Sequence, residues 1–159
     1  MFYHNRLSLW YMLLKVKNNN FFLFFLAVII LVFGTFIYIS YRKDDYVIFS
    51  ILRYFNINYI TFRNINATQI NTIEEIIIYN IPCGLWLLSW IIILGIIWKR
   101  NSKIFFRYSF MFLLFALTIE FLQIENIIKG TFDLGDVYIY LIFYLIGISF
   151  YYFRNKYEK

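Results

Sequence analysis

The chain has little of what loops and soluble active sites are built from. Its 159 residues include one Pro, six Gly, one Cys and one His. A single cysteine, Cys83, excludes an internal disulfide, and its apolar neighbours fit a packing role. With His4 the only histidine, a His/Cys metal cluster and a Ser-His-Asp set are both excluded. No Gly-rich phosphate loop occurs, and nothing in the sequence specifies a cofactor or a metal. Charged residues make up only 15% of the chain, against 62% hydrophobic and 25% aromatic. Soluble domains run at about 45–50% apolar, and one small core could not hide this much apolar surface. The composition suits a bilayer, with mean hydropathy +0.67. The formal net charge of +6 does not point to nucleic acid, because the basic residues punctuate apolar runs instead of gathering on one polar face.

Four apolar runs mark expected spans at about 21–41, 76–98, 104–124 and 134–153. Twenty residues of helix at 1.5 Å per residue cross roughly 30 Å of hydrocarbon. The first run is too long for the apolar part of a signal peptide, and no small-residue cleavage site follows it, so it reads as an uncleaved anchor. Ahead of it, Leu7, Trp10 and Leu14 share one helical face among Arg6, Lys15 and Lys17. That pattern fits an interfacial helix or a frayed tail, ended by the run Asn18-Asn19-Asn20. Between the first two runs, Val47, Ile48, Ile51, Leu52 and Phe55 predict a helix on the outer membrane surface, followed by an irregular Asn-rich stretch over 56–72. The expected fold is all-α: one membrane domain over 1–159, a polytopic four-helix bundle with these accessory helices.

Ten of the 15 Lys and Arg residues fall on the side of the N-terminus, the second turn and the C-terminus, and five on the other. This asymmetry predicts that both termini are cytoplasmic. All the acidic residues but Glu158 then fall outside. Glu120, Asp133 and Asp136 gather at that outer end.

Glu120 lies about four residues, roughly 6 Å, below the end of its run. A carboxylate at that depth costs about 1–3 kcal/mol and normally faces a bundle interior or a wet cavity. Ser109, Leu113, Ala116, Glu120 and Gln123 follow a 4-3-4-3 spacing, so one inward face carries them, and Gln123 can hydrogen-bond Glu120. The last span carries Asp136, Tyr140, Phe143, Gly147, Tyr151 and Arg154 on one stripe. Part of this corner has a plain structural explanation. Asp133 and Asp136 head an apolar run as helix caps do, and both gain from the helix dipole. Gly130 suits the end of the preceding helix. Capping accounts for Asp133 better than for Asp136 and does not account for Glu120, which could instead hydrogen-bond Tyr138 or Tyr140. Chemically, Glu120 could carry a proton, bind an amine or cation, or serve as a general acid.

The run Glu120-x-x-Gln123, then Thr131-Phe132-Asp133-x-x-Asp136, then Gly147 after a further apolar stretch, resembles the signature of the VanZ-like membrane proteins. Ile81-Pro82-Cys83-Gly84-Leu85-Trp86 also resembles the start of a span in bacterial members of that family. The resemblance covers mainly residues 81–147. It implies an integral protein of the bacterial plasma membrane, tied to the cell envelope, in a family named for a component linked to teicoplanin resistance.

Three functions stay open at this stage. The first is binding of a membrane lipid or lipid-linked head group at an acidic pocket of Glu120, Gln123, Asp133 and Asp136, with Tyr140 and Tyr144 as its wall. Such a pocket favours an amine or cation. The second is an enzyme acting on an envelope precursor with Glu120 as acid/base, disfavoured because no nucleophile stands near a base. The third is an assembly partner of other membrane proteins whose carboxylates only fix helix packing.

Overall fold

In this computed structural model the described residues are 4–41, 47–60, 77–128 and 130–157, the side chains of 4–19, 47–48 and 157 excepted. They form five helices: α1 (His4–Tyr41), α2 (Val47–Tyr54), α3 (Ile81–Ile97), α4 (Ser102–Ile124) and α5 (Leu134–Tyr157). No strand occurs among the described residues. The expected stretch 61–72, the start of the second span at 76, and residues 158–159 lie outside them.

Three helical segments are long and apolar enough to cross a membrane: Asn20–Tyr41, Ser102–Ile124 and Leu134–Lys156. Their outward faces carry large bare apolar groups, among them Phe21, Phe33, Phe115, Phe121 and Leu145. Water is a poor solvent for such a surface. The fourth apolar helix, α3, has 17 residues, about 25 Å of rise. Asn80 and Pro82 sit in the first turns of the expected 76–98 span, where Pro can open a helix, and the helix starts at Ile81 as their position predicts. Pro lacks the N–H that an interior turn requires, and it sits at the first turn of α3, where that N–H has no partner to lose.

One expectation fails at the N-terminus. Instead of a separate segment ended by Asn18-Asn19-Asn20, α1 runs unbroken through the three asparagines for 38 residues. Asn lowers helix propensity by only a few tenths of a kcal/mol per residue. With no Pro or Gly present, that does not outweigh propagation from the long apolar helix that follows. A helix does form within the expected stretch, α2, but it is shorter than the pattern. α2 ends in a left-handed Asn56 with φ 55°, Asn56 N–H donating to Arg53 O and Ile57 N–H to Leu52 O. This is a Schellman closure, in which Asn tolerates the left-handed backbone. Phe49 is fully buried, its ring centroid 5.1 Å from that of Tyr59.

α3 is the central rod. It packs against α1, α4 and α5, and α5 packs also on α4. Alternation of direction brings the end of α1 to the start of α3: Trp86 Nε1 donates to Thr35 Oγ1 at 3.1 Å, and the Tyr38 and Trp86 rings lie 5.0 Å apart. Small residues permit close contact. Gly84 faces Ile139 and Phe143 of α5, and Gly147 of α5 faces Ile91 of α3. The α3–α4–α5 core holds Cys83, Leu87, Ile91, Leu113, Tyr140 and Tyr151, and a second cluster of Leu23, Ala27 and Ile92 joins α1 to α3. Buried Ser89 and Ser109 hydrogen-bond the carbonyls of Trp86 and Phe106 in their own helices, so neither hydroxyl is left dry.

The basic end of the bundle is tied by side chains. The Tyr151 hydroxyl lies 3.2 Å from Trp98 O and 3.4 Å from Lys99 O, within donating reach of the carbonyls that end α3. Its ring stacks on Phe105 at 3.6 Å. Arg154 donates to the carboxamide oxygen of Asn20. The opposite end carries the described acidic residues, Glu120, Glu125, Asp133 and Asp136.

Candidate functional site

At the acidic end three chain segments meet: the start of α3, the end of α4, and the loop entering α5. Asn80, one residue before α3, occupies the cap position, yet its side chain makes no cap hydrogen bond. It turns instead to α5. Asn80 Nδ2 donates to Asp133 Oδ2 at 2.7 Å and to Asp136 Oδ1 at 3.1 Å. One carboxamide thus joins two carboxylates 53 and 56 positions away. Asn80 and Asp136 are each 3% exposed, so the pair is dry and the hydrogen bond matters: an unmade one here would cost about 1–3 kcal/mol.

Asp133 has two roles. Its Oδ1 accepts from Gly135 N–H at 2.7 Å, capping α5, while Oδ2 accepts from Asn80. Capping accounts for half of this residue, as its position at the head of an apolar run suggests. Gly135 itself is required by proximity. A Cβ there would stand 2.7 Å from Asn80 Nδ2, closer than real contacts allow.

Gly130 does not end α4 as expected. That role falls to Asn126, left-handed at φ 55°, with Ile127 N–H donating to Leu122 O at 3.0 Å. Gly130 instead lies against the Gln123 carboxamide, where a Cβ would come within 2.7 Å. Its φ of +155° is also one that L side chains rarely adopt. Each carboxamide of the corner, Asn80 and Gln123, therefore rests on a glycine.

A cavity of about 260 Å³ opens beside this network. Glu120, Gln123, Thr131, Asp136, Tyr140 and Cys83 supply its polar and sulfur lining, and Tyr38, Trp86, Trp90, Phe112 and Phe115 its aromatic walls. Four of the five residues singled out in the sequence, Glu120, Gln123, Asp136 and Tyr140, share this one space. The fifth, Asp133, is not a lining residue and reaches the site through Asn80. Tyr144, expected as wall, packs on the core cluster instead. Tyr138 points outward at 64% exposure, leaving Tyr140 as the tyrosine beside Glu120. Glu120 is 3% exposed, and the Tyr140 hydroxyl lies among Cys83, Glu120 and Asp136.

Asn80 was missed as a site residue because a polar residue before Pro82 reads as a helix start. Nothing local announces partners more than 50 positions away. The aromatic wall had a partial signal: Trp86 and Trp90 are four residues apart and share a face.

Among the described residues that line the cavity, none is Lys, Arg or His. No group of three or more His, Cys, Asp or Glu among the described residues is arranged to hold a metal ion. The arrangement offers carboxylate and carboxamide oxygens as acceptors at one end and flat ring faces along the rest. It can hold a cation or a hydrogen-bond donor and shelter an apolar chain beside it. No protein-family model, curated protein or solved structure matches the chain.

Proposed function

We propose that this is a VanZ-like integral membrane protein of the bacterial plasma membrane, with four spans, cytoplasmic termini, and an outer-leaflet pocket that binds the head group of a membrane lipid or lipid-linked precursor. One observation carries the reading. Two buried carboxylates and a carboxamide border a cavity whose other walls are mostly aromatic and aliphatic, at the end of helices long enough to span a bilayer. Acid side chains at such depth are costly unless a cavity or a partner uses them. With α3 counted as a short fourth span within the usual range of about 17–25 residues, the excess of Lys and Arg toward the opposite end supports an outer position for this pocket.

The test is labelling by a photoactivatable phospholipid in reconstituted bilayers. Glu120→Ala and Asp136→Ala should each lose most of the label while keeping their helical content. Labelling as strong as in the unmodified chain would remove the pocket from consideration.

The Asn80 bridge favours a second reading, in which the acidic corner only locks α3 to α5 in an assembly partner. That reading predicts lower thermal stability for Glu120→Gln and Asp136→Asn with lipid labelling unchanged.

A further inference from the structure

At the basic end of the bundle, away from the pocket, we infer a second lipid seat: Arg100, Lys103 and Arg107, at the start of α4, hold the head group of an anionic phospholipid. Lys103 and Arg107 stand four residues apart, so they share one face of α4. It is not the face that turns Phe105, Ser109, Leu113 and Glu120 into the bundle. Both residues are exposed, as is Arg100 in the turn before the helix. None of the three makes a side-chain hydrogen bond or an ion pair among the described residues. The described acidic residues all lie at the other end.

Depth identifies the partner. Arg107 lies five residues, roughly 7.5 Å of rise, inside the membrane-length segment Ser102–Ile124. A guanidinium is costly among acyl chains and reaches back toward the interface. Helix side chains lean toward the N-terminus, so Arg107 leans toward Lys103 and the head-group layer. The first anion on that path is a lipid phosphate, which a guanidinium binds through two parallel N–H donors. Two further cations beside it favour a head group of net negative charge over a zwitterionic one. The acyl chains have a place as well. Phe110, Met111 and Leu114, three, four and seven residues after Arg107, are exposed on the same side of the helix. A free anion would gain nothing from them. The turn carrying Arg100 is also built in advance. Asn101 Oδ1 accepts from Ile104 N–H at 3.2 Å, and Asn101 N–H donates to Trp98 O at 3.0 Å. The Trp98 ring stacks on Tyr108, with centroids 6.1 Å apart.

The test is native mass spectrometry of the full chain released from bilayers of equal phosphatidylglycerol, phosphatidylethanolamine and phosphatidylcholine with matched acyl chains. The glycerol lipid should be retained several-fold over the other two. Arg107→Gln and Lys103→Gln should each reduce that preference several-fold while circular dichroism shows helical content unchanged; if one of them fails to fold, the other decides. Lys156→Gln removes the same charge from an exposed position at the same end and should leave the preference intact. Equal retention of the three lipids overturns the inference, as does a preference that survives both substitutions in α4. An equal loss in Lys156→Gln would make the effect one of bulk charge and overturns it too. Displacement of the retained lipid by an equal concentration of inorganic phosphate would mark a free-anion site, with the same consequence.

Discussion

Asn80 Nδ2 lies 3.1 Å from Asp136 Oδ1, with both residues buried. The same amide nitrogen also reaches Asp133, so the start of α3 and the start of α5 are joined by a donor that two acceptors share. The arrangement holds Asp136 at the edge of the cavity through a neutral side chain.

Replacing that donor with an acceptor should be worse than removing it. Asn80→Ala removes a buried donor from both aspartates and should cost about 1–3 kcal/mol. Asn80→Asp adds a further carboxylate to the two already there and should lower the detergent melting temperature further than Asn80→Ala. The double variant Asn80→Asp with Asp136→Asn restores a donor–acceptor pair and should recover part of the loss. Thermal unfolding of the four proteins checks this; an Asn80→Asp chain as stable as the unmodified one would contradict the bridge.

Two glycines of α3 should respond differently to alanine. A Cβ at Gly84 would stand 2.5 Å from Ile139 and Phe143, so Gly84→Ala must push α5 away and should cost about 1–3 kcal/mol. At Gly95 the nearest atom is 3.3 Å away, on the Tyr151 ring. There the helix-propensity gain of up to about 1 kcal/mol offsets a small shift, so Gly95→Ala should be near neutral. Melting temperatures of the two variants in one detergent decide it.

Thr35 should act on the site without touching its ligand. Its hydroxyl donates to Leu31 O at 2.8 Å and accepts from Trp86 Nε1. Thr35→Val keeps the shape, removes the acceptor and leaves the indole N–H unanswered, a loss of about 1 kcal/mol. Lipid photolabelling should weaken along with it, and Thr35→Ser should retain both. Unchanged labelling in a destabilised Thr35→Val chain would show that the position of Trp86 does not matter to the ligand.

Cys83, the sole cysteine, lines the cavity and so offers a native handle. Alkylation by N-ethylmaleimide should fill the space and abolish lipid labelling, while Cys83→Ser should label normally and resist the reagent. Full labelling of a stoichiometrically alkylated chain would place the ligand elsewhere.

Much of this architecture was legible in the residues, for identifiable reasons. Long uncharged runs admit few structures other than a helix, and the expected 104–124 compares with Ser102–Ile124 in the fold. The inward stripe was also readable: Ser109, Leu113 and Glu120 are the buried residues of α4 along with Phe105. On α5, Asp136, Tyr140, Gly147 and Tyr151 are buried as their spacing requires. What could not be read were choices made between distant segments. Asn80 could have capped its own helix, and it is the approach of α5 over Gly135 that turns it toward the two aspartates. Asn18-Asn19-Asn20 looked like a break because local polarity was weighed without the cooperativity of the helix beyond. The aromatic wall needed the packing of α1 and α4 around α3 before its rings could be seen to face one space.

Peptide mapping of a photolabelled chain tests the central claim most directly. A phospholipid with a diazirine near its head group is crosslinked to the full protein in bilayers, and the modified residues are identified. The account predicts adducts concentrated on the cavity-lining positions of α3 and α4, around Trp86, Trp90, Phe112 and Phe115. Adducts spread evenly over the outward faces of all the long helices, with none enriched at those positions, would contradict it.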